Sequence, residues 1–282
     1  MNIAENIVYI GCDDTELDLF ESQYKIPHGV SYNSYVCFDE KTVVFDTVDK
    51  RKTDEWLKNL ENALGSVKHD YLLINHMEPD HSASLRAFFE KYPHTTLIGN
   101  DKTFIIAERY FGKLQCNKLV VKDGDELSLG KHVLKFIFAP MVHWPEVMFT
   151  YDKTAKVLFS ADAFGKFGAL SYNEEWLDEA RRYYINIVGK YGASVQGVLK
   201  KAAALDIQVI CPLHGPVLKD NLEFYINEYN VWSSYASEDE GVLIAYASVY
   251  GGTKKAAEIL AENITSAGHK AVLADLARSD LA

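Results

Sequence analysis

Residues 75–81 read NHMEPDH, and they place His76, Glu78, Asp80 and His81, four ionisable side chains, within six residues. The segment follows the short apolar run YLLI (71–74) and precedes SASLRAFFEKY (82–92), whose apolar spacing predicts a helix. It is therefore a loop between a strand and a helix, where functional groups tend to be placed. On an extended segment alternate side chains share a face, so His76, Glu78 and Asp80 converge while His81 opens the helix. A solvated acidic turn is the plain alternative. Four ionisable groups gathered on one face without a cation, however, are electrostatically costly. The segment is expected to hold metal.

Three more residues of ligand type stand at predicted strand ends. These are His143 in APMVHWPE (139–146), Asp162 in LFSADAFG (158–165) and His214 in CPLHGP (211–216). A lone loop histidine is more often structural than ligating; beside the 75–81 segment, the three complete a ligand set. Around them the chain opens with strand-like runs at 6–12, 30–38 and 42–48. A helix follows at 54–64, with Trp56, Leu57, Leu60 and Leu64 on one face. A strand at 95–100 and a helix at 101–112 come next. Residues 119–140 and 149–162 are each expected to form a hairpin, the first turning at Gly124 and the second at Asp152 and Lys153. Helices broken near Gly192 lead to a final strand at 207–215. Strands first, then strand–helix alternation, then strands again suit two sheets flanked by helices better than one doubly wound sheet.

The bulk composition agrees with a packed domain: 282 residues, 48% hydrophobic, 24% charged. A net charge of −11 disfavours nucleic acid or an anionic membrane as partner, since either needs a basic face. No run of 18 apolar residues is present, and no signal peptide is read at the N-terminus. Cys12, Cys37, Cys116 and Cys211 form no CxxC pair and are expected to be free thiols in the cytoplasm. His28 is read as a structural histidine near the pocket. His69, His94, His132 and His269 are expected to face solvent, and Trp144 either covers the site or packs in the core.

The order His-x-Glu-x-Asp-His, a distant His, an Asp 19 residues later and a final His resembles the flavodiiron proteins. The segments PHGVSYNSY (27–35) and HWPEVMFTY (143–151) are similar to that family too. The resemblance covers essentially the whole chain. It implies a metallo-β-lactamase-like αββα sandwich over residues 1–235, a linker at 236–241 and, from 242 to 282, the start of a flavodoxin-like doubly wound domain. It also implies two irons. His76, Glu78 and His143 would bind one, Asp80 and His214 the other, and Asp162 would bridge them; His81 would ligate the second iron or stand behind it. Zinc hydrolases of the same superfamily usually carry His where this chain has Glu78, and a hard anionic oxygen shifts preference toward iron or manganese.

At 241 the pattern changes to strand, Gly-containing loop, helix and strand. Ser248, Val249, Tyr250, Gly251, Gly252 and Thr253 can wrap a phosphate at a helix N-terminus. By resemblance this is an FMN phosphate loop. The 42 residues from Gly241 to Ala282 fall short of the roughly 100–150 that such a domain needs, so the chain is expected to end inside it. FMN is expected of an intact domain rather than of this segment. The implied activity is reduction of O2 to water or of NO to N2O, with electrons passing through FMN from a rubredoxin-like donor. The implied assembly is a head-to-tail homodimer or a dimer of dimers. The alternative is a hydrolase using a metal-bound hydroxide.

Overall fold

A computed structural model of the chain describes residues 1–279. Two compact units are present, Met1–Ser234 and Tyr235–Ala282. The first is built on a seven-stranded and a five-stranded sheet. In the seven-stranded sheet the strands run, in spatial order, Asn2–Ala4, Ile7–Tyr9, Tyr35–Cys37, Val43–Phe45, Tyr71–Leu73, Thr96–Gly99 and Asn117–Val120. In the other they run Glu126–Ser128, Val133–Phe138, Met148–Asp152, Val157–Phe159 and Val209–Cys211.

Side-chain alternation along these strands explains the layering. Val43, Phe45, Leu73 and Ile98 share one buried cluster with Phe136, Met148, Phe159 and Cys211, which is the core between the sheets. There the Phe45 and Phe159 rings stack with centroids 3.8 Å apart. The alternate residues Val44, Leu72, Leu97, Phe149, Leu158 and Ile210 belong to a second cluster, with the helix side chains Trp56, Leu60, Phe88, Phe104, Val195, Val198 and Tyr229. Strands of both sheets are thus apolar on both faces, and the product is the αββα sandwich. Strands Val43–Phe45, Tyr71–Leu73 and Thr96–Gly99 are mutually parallel, as are Val157–Phe159 and Val209–Cys211. Loops leaving their C-terminal ends carry His76, Asp162 and His214.

Several local expectations are corrected. The turn at Gly124 does not close a hairpin: Asn117–Val120 pairs in parallel with Thr96–Gly99 of the first sheet, and Glu126–Ser128 pairs with Val133–Phe138 of the second. Gly124 sits in the crossover, and the hairpin turns at Gly130, in the left-handed region with φ 128°. The helix expected over 82–92 is Leu85–Lys91, and a separate short helix, Pro79–Ser82, precedes it. The helical break expected near Gly192 spans residues 184–191, where a π turn and a 3-10 turn separate Trp176–Tyr183 from Gly192–Ala202. His132 does not face solvent. It is 3% exposed, and its Nδ1 lies 2.6 Å from Asp152 Oδ2 between the ends of two strands. Its polar neighbours Lys131 and Gly130 suggested a surface, but the tight turn carries the ring inward. His69 is half-buried beside Thr95, and His94 and His269 are exposed.

In the second unit, Val242–Tyr246 and Ala271–Asp275 pair in parallel, joined by the helix Gly252–Ser266. The connecting loop turns at Gly251, in the left-handed region with φ 88°, and the Gly251 N–H donates to Ser248 Oγ at 3.1 Å. Val249 and Tyr250 are exposed, as are Leu243, Leu273 and Val272 on the strands. Among the described residues, no helix is long and apolar enough to cross a membrane.

Candidate metal centre

The 75–81 loop leaves the strand Tyr71–Leu73 and is pinned by Asp46, which follows the parallel neighbour strand. Asp46 is fully buried and in the left-handed region, φ 53°. Its Oδ1 accepts from the backbone N–H groups of Asn75 (2.7 Å) and His76 (3.1 Å), and its Oδ2 from Asn75 Nδ2 (2.8 Å). Burial pushes its carboxyl up to about 6, against those hydrogen bonds. Thr47 holds the next turn: its N–H and hydroxyl both donate to the His81 carbonyl, at 2.9 and 2.7 Å. Helix Pro79–Ser82 then presents Asp80 and His81 together.

From these supports the seven expected ligands converge as two sets. In the first, His76 Nε2 lies 3.2 Å from Glu78 Oε2 and 3.5 Å from Asp162 Oδ2, and His143 Nε2 lies 3.0 and 3.1 Å from the same two oxygens. In the second, His214 Nε2 lies 3.2 Å from Asp80 Oδ2, and His81 Nε2 lies 3.5 Å from Asp80 Oδ2 and 3.1 Å from Asp162 Oδ1. Asp162 thus turns one oxygen to each set. His81, whose part the sequence left open, stands with the second.

Two ring nitrogens are fixed from behind. His76 Nδ1 bonds Glu146 Oε1 at 2.8 Å, and His214 Nδ1 bonds the Ser31 carbonyl at 2.7 Å, leaving each Nε2 for the centre. Glu146 Oε1 also accepts from the Met77 N–H at 2.9 Å. Gly215 follows His214 with φ 76°; a Cβ there would lie 2.6 Å from Lys166 Cγ, so this turn needs glycine. Asp162 is flanked by left-handed residues at Ala161 (φ 49°) and Phe164 (φ 67°), the kind of backbone strain that collects at functional sites.

The donor chemistry calls for cations. Asp80 Oδ1 and Oδ2, Asp162 Oδ1, His81 Nε2 and His214 Nε2 are buried without hydrogen-bond partners, a costly state unless a positive ion satisfies them. Two divalent ions would more than offset the three negative charges of Glu78, Asp80 and Asp162. Without metal, protons take that role. Burial opposes charge on His76 and His143, but Asp162 and Glu78 hold both imidazoles up, His143 to about 9. Glu78 and Asp162 are held well below the usual carboxylate range by the facing histidines, despite burial.

Tyr183 also belongs to the site. Its ring packs on His214 with centroids 5.5 Å apart, and its buried hydroxyl has no hydrogen-bond partner. Burial, then Asp162, Asp80 and Glu78, keep that hydroxyl protonated. Trp144, partly buried against the core, packs edge-on to His76 with ring centroids 5.4 Å apart. His28 pairs with Glu174 and stacks on Tyr172, outside both sets. A cavity of about 280 Å³ lies over Glu78 and Asp80, bordered by Phe20, Glu21, Asp49 and Arg51. Glu146, Asp46 and Tyr183 were not singled out from the sequence. For Glu146, the only signal was its place three residues after His143.

The model of the ODP family beta lactamase matches residues 30–215. An anaerobic nitric oxide reductase flavorubredoxin of Aliivibrio fischeri is 34% identical over 275 residues, which cover 94% of this chain and 55% of that protein. A nitric oxide reductase of Moorella thermoacetica is 31% identical, covering 99% of this chain and 72% of its own length. Among solved structures, the flavodiiron protein from Giardia intestinalis superposes with a TM-score of 0.90 at 30% identity, over 99% of this chain and 70% of that one. The rubredoxin oxygen:oxidoreductase of Desulfovibrio gigas gives 0.87 at 29%, over 97% and 71%. The chain therefore spans from about half to seven-tenths of the length of these relatives.

Proposed function

The chain belongs to the flavodiiron protein family, and from that premise we propose that it is the metal-bearing part of an oxidoreductase that reduces O2 to water, NO to N2O, or both, at two irons. The observation that carries this reading is the pair of donor sets joined by the two oxygens of Asp162, with Glu78 where a zinc hydrolase would have histidine. A hydrolase is the less favoured reading for that reason. His76, Glu78, His143 and Asp162 would hold one iron, and Asp80, His81, His214 and Asp162 the other. When bound, the irons would supply electrons for the reduction of the diatomic substrate.

The chain's own groups do the rest. Glu146 and the Ser31 carbonyl fix which nitrogen His76 and His214 present. Asp46 and Thr47 hold the loop at its depth. The Tyr183 hydroxyl stays protonated beside the ligands and can donate a hydrogen bond to a bound substrate. Trp144, packed edge-on to His76, would limit water there.

Electrons would arrive from a rubredoxin-like donor through FMN, whose phosphate Ser248, Val249, Tyr250, Gly251, Gly252 and Thr253 would receive. The boundaries we assign are a diiron domain over 1–235, a linker at 236–241 and the opening of the flavin domain from 242. A cytoplasmic location and a head-to-tail homodimer, or a dimer of such dimers, complete the proposal; sedimentation of the protein tests the assembly. Metal analysis and single-turnover mixing of the reduced, iron-loaded protein with O2 or NO test the activity. Two irons per chain and rapid oxidation by either gas are expected. Stoichiometric zinc, with no reaction with either gas, would overturn the reading.

A further inference from the structure

Behind the metal centre lies a second cavity, of about 220 Å³, between the five-stranded sheet and the helices Gly192–Ala202 and Leu222–Ser233. Its floor is Phe149, Leu158 and Ile210, all no more than 2% exposed, and Val195 and Val198 of the first helix face them. Its outer end is at Ala203, which is exposed, and Ile226, which is 37% exposed. One wall is Ala163 and Phe164, the residues that immediately follow the bridging Asp162. The cavity thus runs from the surface to the back of the turn that carries the shared ligand.

Its chemistry is one-sided. No charged side chain lines it, and its one polar side chain, Tyr229, has its oxygen engaged by the Phe164 N–H at 2.6 Å. Water held in a protein needs two to four polar partners, and among the side chains of this wall only the Tyr229 hydroxyl could serve. The volume exceeds the roughly 150 Å³ of engineered apolar cavities that stay dry and bind benzene or xenon. It falls short of the roughly 300–1,000 Å³ of pockets that take drug-sized ligands. The cavity over Glu78 and Asp80 differs in carrying charged side chains, Glu21, Asp49 and Arg51 among them, beside its apolar ones. An uncharged diatomic molecule partitions toward apolar surroundings, and of these two cavities only the one behind the metal centre is free of charged side chains.

We propose that the apolar cavity is a docking site for a small uncharged gas, which passes from it to the metal centre through the Ala163–Phe164 wall. The identity of the gas rests on the reductase reading above; the site itself does not. Crystals held under xenon pressure should show xenon between Val198 and Leu158. Val198→Phe, which fills the cavity, should abolish that density. The same variant should slow oxidation of the reduced, iron-loaded protein severalfold at low O2 or NO, and less at saturating gas, with iron content unchanged. Ile226→Trp, at the partly exposed outer end, repeats the kinetic test without crowding the interior if Val198→Phe does not fold. Xenon absent from the wild-type cavity, or both variants reacting with dilute gas as the wild type does, would overturn the proposal. Xenon in the cavity of a protein that reduces neither gas would support the docking site and remove the reductase reading.

Discussion

Replacing Glu146 by Gln tests whether the metal centre is held from behind. Glu146 is 1% exposed, and one oxygen accepts both His76 Nδ1 (2.8 Å) and the Met77 N–H (2.9 Å). A glutamine keeps an acceptor oxygen at the same reach, so the loop keeps its shape. It removes the negative charge that sharpens His76 as a donor and that keeps the proton on Nδ1. Changes of this kind behind a metal ligand cost about 10–100-fold in metal affinity, which is roughly 1.4–2.7 kcal/mol. Glu146→Ala should do more. It leaves two buried donors without an acceptor, each worth about 1–3 kcal/mol of stability. Chelator competition gives the affinity, and thermal unfolding of the metal-free protein gives the stability. The expected pattern is weaker binding with a small shift in Tm for Gln, and weaker binding with a large fall in Tm for Ala. A glutamine variant that binds iron within twofold of wild type would refute the reasoning, and so would equal Tm values for the two variants.

Three further outcomes are expected. Glu78→His should shift the protein toward zinc and end its oxidation by O2 or NO while leaving the fold intact, since imidazole replaces an anionic oxygen; metal analysis and single-turnover mixing check it, and full iron loading with unchanged turnover would contradict it. In the metal-free protein His143 is raised to about 9 from an unfolded value of about 6.5, so its contribution to stability is complete below about 6.5 and lost as pH rises through about 9. Its Tm should fall across that window while iron affinity rises, because metal displaces the same protons; a Tm that climbs from about 7 to 9 would count against the pairing. Gly215→Ala places a Cβ 2.6 Å from Lys166 Cγ at φ 76°, costing at least about 1–2 kcal/mol from the backbone alone; circular dichroism melts should show the loss, and unchanged melting and metal content would argue that the His214 turn is not constrained as described.

Legibility in the sequence followed the range of the interaction. The NHMEPDH segment was readable because its ligands sit close together on one strand–helix loop, and the sandwich was readable from the order in which strand-like and helix-like runs follow one another. Glu146, Asp46 and Tyr183 could not be read in that way. Each acts through a partner distant in sequence: His76 is 70 residues from Glu146, and the Asn75 N–H is 29 from Asp46. The hairpin assigned to Gly124 failed for a related reason. Residues 119–140 contain two glycine turns, at Gly124 and Gly130, and only sheet membership distinguishes a crossover from a hairpin. His132 was misread because its polar neighbours say nothing of Asp152, its partner 20 residues on.

The ligands draw on both sheets, and they also arrive in an order. On the ribosome, the first set is fully translated once Asp162 has been made, whereas the second waits for His214, 52 residues later by their numbers (214 − 162). At about 5–20 residues per second, that gap lasts roughly 3–10 seconds. Over that interval Asp80, His81 and the second oxygen of Asp162 await their last companion. The strand Val209–Cys211, which delivers His214, joins the edge of its sheet beside Val157–Phe159. The last ligand translated is therefore the one that turns a place for a single ion into a place for two.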